Sequence, residues 1–299
     1  MIVYGRRRVG KTFLINQSFG DEFCFKLTGI YNAPKEVLLS NFKDEFERRT
    51  KAKINDINDW KQAFKLLRNY LDILPRKMKK VVFFDEMPWM HTQKSNFLKA
   101  FETFWNDFAN ALDNLIFIVC GSATSWLDKN FNENKGGLYN RATAKIYLKT
   151  FTLKECEQYL LATKYYLSRY DVVTLYMVVG SIPYYLNFLD NSLSLRENID
   201  NMFFKQNGPL ADEFSHLYAT LFSNNANYLK VIEALANKKR GMNREEISLK
   251  TKLPLNGTLS EILKNLTNSG FIKLIMRYDE RKENIYKLVD YYSFFIINF

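Results

Sequence analysis

The chain opens on an apolar triplet, Ile2-Val3-Tyr4, and unbroken apolar runs return at Val81-Val82-Phe83-Phe84 and Leu115 to Cys120. Continuous runs of this length suit strands buried on both faces, as in the centre of a parallel sheet. Phe23 to Ile30 and the shorter Ala144 to Leu148 are two further strand candidates. Between them, apolar residues recur every third or fourth position over Ala33 to Arg49 and Asp59 to Leu74, which predicts helices, and a long helix is expected across Ser95 to Ala111. Pro75 and the basic stretch Arg76 to Lys80 punctuate the pattern. Strands alternating with helices predict an α/β fold with a doubly wound sheet.

From about Thr152 the strand signal fades. Periodic segments at Leu153–Ala162, Ser168–Val179, Ile182–Leu189 and Pro209–Phe222 predict a small helical unit, interrupted by Gly180 and Pro183. Beyond Asn225 come helices around Leu229–Ala236, Arg244–Lys250 and Thr258–Asn268, then two strands flanking the polar turn Asp279 to Asn284. Three helices and a hairpin read as a winged helix-turn-helix. The expected organisation is a core over residues 1–150, a helical lid over 151–224 and a winged helix over 225–299. A length of 299 residues exceeds what one hydrophobic core usually fills, which agrees with several units.

Composition excludes some classes. With 47% apolar and 16% aromatic residues the chain is too rich in large side chains for a disordered protein. The formal charge of +11 permits a polyanionic partner, and residues 226–299 hold 13 basic against 8 acidic side chains, so that quarter is the candidate contact surface. Cys24, Cys120 and Cys156 are far apart and form no C-x-x-C pair, which argues against a disulfide framework or thiolate metal site and fits a reducing, cytoplasmic setting. His91 and His216 stand alone. No stretch approaches the roughly 20 apolar residues of a membrane span. Both ends read as cut: four residues precede the first motif, and Phe294 to Phe299 stops in apolar sequence.

Gly5-Arg6-Arg7-Arg8-Val9-Gly10-Lys11-Thr12 fits G-x-x-x-x-G-K-S/T, in which backbone N–H groups wrap phosphate oxygens at a helix N-terminus. In this reading Lys11 neutralises the β- and γ-phosphates of a bound nucleotide and the Thr12 hydroxyl ligates Mg²⁺. Asp85, at the end of its strand, would hold a magnesium-bound water, and Glu86 beside it would orient an attacking water. Ser122 ends the next strand, where it could sense the γ-phosphate, or it is a simple turn serine. Arg141 is an arginine-finger candidate or a solvated loop residue. Arg6, Arg7 and Arg8 could touch phosphates or a partner, although loop solvation is the expected state.

The ordered set GRRRVGKT, the apolar run into Asp85-Glu86-Met87-Pro88-Trp89, CGSATSW, GGLYNR and GSIPYYL resembles the archaeal-type ATPases of the STAND clade, relatives of AAA+ and origin-recognition ATPases. The resemblance spans nearly the whole chain. It implies an ASCE-type P-loop NTPase sheet, a helical lid and a winged helix. It also makes Gly5 to Thr12 the Walker A loop, Asp85 and Glu86 the Walker B pair, Ser122 the sensor-one position and Pro183 part of the G-x-P lid motif near base or phosphates. Two departures stand out: the usual N-terminal element over the adenine is missing, and many relatives continue into another domain.

Two functions compete. One is a nucleotide-driven switch that hydrolyses ATP slowly or under control of a protein partner or a nucleotide-dependent homo-oligomer. The other is a DNA-binding winged-helix regulator with a weak or vestigial ATP site, in which Lys264 on the recognition helix and Arg277, Arg281 and Lys282 on the wing neutralise phosphates. A P-loop kinase or GTPase fits less well, because no guanine-reading N-K-x-D-like element is present.

Overall fold

A computed structural model describes residues 1–299 except 93, 134–135, 223–224 and 277–283. Arg277, Arg281 and Lys282 therefore lie outside the described residues. The chain divides into two compact units, one of residues 1–4 and 11–148, the other of residues 5–10 and 149–299.

The first unit is built on five strands, β1 Ile2–Tyr4, β2 Phe23–Thr28, β3 Lys80–Asp85, β4 Leu115–Gly121 and β5 Lys145–Tyr147. They lie in the order β2-β3-β4-β1-β5, and every pairing is parallel. Register places Val3 beside Cys120 and Ile146, and Val82 and Phe83 beside Phe117 and Ile118. All six residues of β3 are buried, as its unbroken apolar run predicts. The edge strand β5 is exposed throughout and short, which limits the pairing surface it offers.

Helices α1 Lys11–Phe19, α2 Lys35–Thr50, α3 Trp60–Ile73, α4 Phe97–Asp107 and the single turn α5 Thr124–Leu127 complete this unit. Strand residues alternate between the sheet's two faces. Val82, Phe84, Phe117 and Val119 join the cores of α2, α3 and α4, while Val81, Phe83, Ile118 and Cys120 pack with Ile15 of α1. The first face is aromatic: Phe64 has the rings of Phe84, Phe97, Phe101 and Phe104 at centroid distances of 6.0, 5.9, 5.7 and 5.2 Å. Asp59 caps α3 by accepting from Gln62 N at 2.8 Å, which fixes the helix start and so the position of these rings.

The second unit contains α6 Leu153–Ala162, α7 Arg169–Val179, α8 Pro183–Leu186, α9 Leu195–Ile199, α10 Glu213–Leu221, α11 Asn225–Ala236, α12 Arg244–Thr251 and α13 Gly257–Asn268, followed by strands β6 Ile272–Ile275 and β7 Ile285–Leu288 and helix α14 Tyr291–Asn298. The strands pair antiparallel, and β7 also bridges to Met242. Capping boxes at Thr152/Glu155, Ser194/Glu197 and Asn243/Glu246 start α6, α9 and α12. One continuous core, including Leu175, Tyr185, Tyr218, Ile232, Phe271 and Tyr292, serves residues on both sides of position 225. Neither α9 nor α14 follows from the apolar periodicity. The run Tyr291 to Asn298 is apolar all round, so it carries no helical period to read.

Among the described residues, no helix is long and apolar enough to cross a membrane. Cys24, Cys120 and Cys156 are buried and free of disulfides.

Candidate functional site

Strands β3 and β4 end side by side, so their carboxyl-terminal residues share the sheet edge where ligands of open α/β sheets bind. Asp85 is the last residue of β3 and is buried; Ser122 directly follows β4 and is also buried. At this edge Thr12 Oγ1 donates to Asp85 Oδ2 at 2.8 Å, and Lys11 Nζ donates to Ser122 Oγ at 3.0 Å. Ser122 in turn donates its hydroxyl to Glu86 Oε1 at 2.6 Å and its backbone N–H to Glu86 Oε2 at 3.0 Å. Lys11, Ser122 and Glu86 thus form one relay and Thr12 with Asp85 a second beside it. The backbone joins the two: Lys11 precedes Thr12, and Glu86 N donates to Asp85 Oδ1 at 3.0 Å.

Glu86 holds this place at a conformational cost. Its φ of 45° and ψ of 47° lie in the left-handed region, where a residue with a β-carbon persists only if its surroundings fix it. The turn brings its carboxylate over Ser122. Cys120, one strand position before Gly121, stays a neutral thiol, because burial and then the Asp85 charge push its pKa well up. The donor set suits a magnesium-bound triphosphate: an ammonium, a hydroxyl and two carboxylates lie at the N-terminus of α1.

The preceding loop belongs by its contacts with the second unit. Gly5 and Gly10 take φ of 145° and 90°, and a β-carbon at Gly10 would meet nothing within 4 Å, leaving open space beside the backbone. Arg8 is left-handed too, at φ 70°. Val9 is buried and Arg7 half-buried.

The expectation of solvated loop arginines fails for Arg6, which is 5% exposed. Its Nη1 and Nη2 fork onto Asp290, Nη2 reaching Oδ2 at 2.9 Å, and its guanidinium lies 4.5 Å from the Phe271 ring centroid. Burial pulls the Arg6 pKa down, but the Asp290 charge and hydrogen bonds outweigh it and hold the pKa above the ordinary arginine value. Arg8 pairs with Glu213 Oε2 at 2.7 Å and covers the Tyr184 ring at 4.2 Å. Sequence reasoning missed both carboxylates. Asp290 leaves a faint trace as a helix-capping residue, bonded to Ser293 N at 3.0 Å, whereas nothing local marks Glu213.

Arg141, Pro183 and Lys264 stand apart from this cluster. Arg141 is exposed and donates Nε to Gly137 O at 3.3 Å within its own turn. Pro183 occupies the first turn of α8, and the next residue, Tyr184, donates its N–H to Arg8 O at 3.4 Å. Lys264 is exposed on α13.

Comparison with known proteins gives this geometry its setting. Residues 1–189 match the profile of an ATPase domain predominantly from Archaea. An uncharacterized protein of Methanocaldococcus jannaschii is 25% identical over 278 residues, 91% of this chain and 57% of that protein, so the chain spans little more than half of its relative. Among solved structures, a Walker-type ATPase of Pyrococcus abyssi matches with a TM-score of 0.66 at 17% identity, covering 100% of this chain and 91% of that one. The ORC2 protein of Aeropyrum pernix, in complexes with ADPNP and ADP, matches at 0.51 and 14%, covering 99% and 86%. These two likenesses concern the fold, a five-stranded parallel sheet of the P-loop ATPase type. The profile match takes in most of the 299 residues, including the glycine loop and the β3 and β4 edge, and by it the chain belongs to the family of ATPase domains found predominantly in Archaea.

Proposed function

We propose that the chain binds ATP with Mg²⁺ and hydrolyses it slowly or under a partner's control, acting as a nucleotide-dependent switch. The observation that carries this reading is the meeting of Lys11, Thr12, Asp85, Glu86 and Ser122 at one edge of the sheet. Lys11 exchanges its bond to Ser122 for a phosphate oxygen, an acceptor that the ammonium prefers because it is anionic. Thr12 and Asp85 are the residues that would hold Mg²⁺, which when bound neutralises phosphate charge. Glu86 orients a water against the γ-phosphorus and takes its proton as the new P–O bond forms. The bond to the β–γ bridging oxygen breaks, leaving ADP and phosphate. Gly5 to Gly10 offer their amides to the phosphates, Pro183 borders the loop through its neighbour Tyr184, and Arg141 stands as a finger for a second copy of the chain.

Lys11→Ala is expected to abolish binding of a non-hydrolysable ATP analogue in calorimetry. Glu86→Gln is expected to bind ATP normally and hydrolyse it on the order of a hundredfold more slowly in a phosphate-release assay. Undiminished turnover by Glu86→Gln removes Glu86 from the mechanism, and equal binding by Lys11→Ala removes the site itself.

A second reading draws on α11 to α13 and the antiparallel pair β6–β7; this order of three helices and a two-stranded ribbon supports reading the segment as a winged helix. Lys264 then lies on the helix that enters a groove. Duplex DNA binding measured by fluorescence anisotropy is expected to weaken steeply between 50 and 200 mM salt, by roughly 10³-fold if about six phosphates are contacted. Absence of a shift at low salt excludes this reading and leaves protein docking as the module's use.

A further inference from the structure

We propose that Asp290 is a positioning residue for the nucleotide site, acting through Arg6; the proposal rests on reading Gly5 to Thr12 as the phosphate loop. Residues 5–10 form no regular structure, and three of the six have positive φ. Such a backbone does not hold itself; its surroundings must fix it. Arg6 and Arg8 do so through separate sets of partners. Arg6 is buried between the Phe271 ring and the Asp290 carboxylate, while Arg8 sits between Glu213 and Tyr184. Tyr185 OH donates to the other oxygen of Glu213 at 3.0 Å, which orients that carboxylate.

The Asp290 carboxylate is itself held in place. Besides Arg6 it accepts from the N–H and the hydroxyl of Ser293, three residues on, and so caps α14. The Ser293 hydroxyl has one proton, and that proton goes to Asp290. Tyr218 OH, 2.9 Å from Ser293 Oγ, must therefore be the donor in their bond. Asp290 N also donates to Phe271 O at 3.2 Å. A chain of bonds thus runs from Tyr218 through Ser293 and Asp290 to the second residue of the loop, across a sequence separation of 284 residues. Both members of the pair are almost completely buried, at 6% and 1% side-chain exposure, so solvent does not weaken it. The Arg6 side chain and the start of α14 share one carboxylate. Whatever shifts residue 290 shifts the amides that face the phosphates.

Asp290→Asn separates the two duties of the side chain, since asparagine caps a helix as well as aspartate does but carries no charge. In calorimetry with ADP and Mg²⁺, Asp290→Asn is expected to bind at least tenfold more weakly while circular dichroism reports a folded chain. The Arg6→Gln/Asp290→Asn double variant is expected to bind no more weakly than Arg6→Gln alone, as required if Asp290 acts through Arg6. A dissociation constant within twofold of the unaltered chain, or losses that add in the double variant, overturns the proposal. If Asp290→Asn does not fold, hydrogen exchange on the unaltered chain decides: ADP is expected to slow exchange at residues 291–294 together with 5–12. Protection confined to 5–12 overturns the coupling. No heat from ADP with the unaltered chain overturns the site reading itself, an outcome distinct from normal binding by both chains, which removes only the role of Asp290.

Discussion

Glu86 and Gly10 both take a positive φ, for different reasons. At Glu86 a non-glycine residue is held left-handed because both carboxylate oxygens are engaged by Ser122. At Gly10, φ of 90° falls to a residue without a β-carbon, and no neighbouring atom crowds the position. Gly10→Ala therefore tests backbone preference without a steric clash, and it is expected to cost about 1–2 kcal/mol in urea unfolding. A loss several times larger would mean that alanine collides with something the structure places elsewhere. The residues of the site differ in how plainly they read from sequence. Lys11 and Thr12 follow from the spacing of two glycines, and Asp85 from an apolar run that ends in acid. Ser122 needs only the end of the next strand. Arg6 does not read at all: three successive arginines look like a solvated turn, and the carboxylate that buries one of them lies near the far end of the chain.

At the scale of elements, the central parallel strands and the helices between them are legible because burial on two faces leaves an unbroken apolar run and burial on one leaves a period of 3.6. Residues Leu153–Ala162 carry such a period and form α6 with those bounds, started by the Thr152/Glu155 box. The C-terminal helix escapes this logic, since Tyr291 to Asn298 presents apolar side chains in every direction and only Asp290 marks its start. Packing between elements is sharpest in the aromatic layer over the sheet. Phe64, 2% exposed on α3, touches rings from β3 and α4, so no single neighbour can move to fill its place. Phe64→Ala is expected to destabilise the fold by about 3–5 kcal/mol in chemical denaturation, with no change in the side chains at the sheet edge. A cost under about 1 kcal/mol would mean that this layer repacks.

At the scale of the whole molecule, the charge of +11 fits an anionic ligand, but it does not by itself separate a nucleotide from a duplex. The sheet edge favours the nucleotide, and salt dependence tests the duplex. The core shared across position 225 has a mechanical consequence. Tyr218 from α10, Phe271 ahead of β6 and Tyr292 from α14 are each fully buried in it, and exposing such rings costs roughly 1.5–3 kcal/mol apiece. Residues 149–222 cannot swing away from 225–299 without that loss, so the two segments move as one lever. At the start of the terminal helix, Asp290 ties this lever to Arg6 of the glycine loop through a buried ion pair.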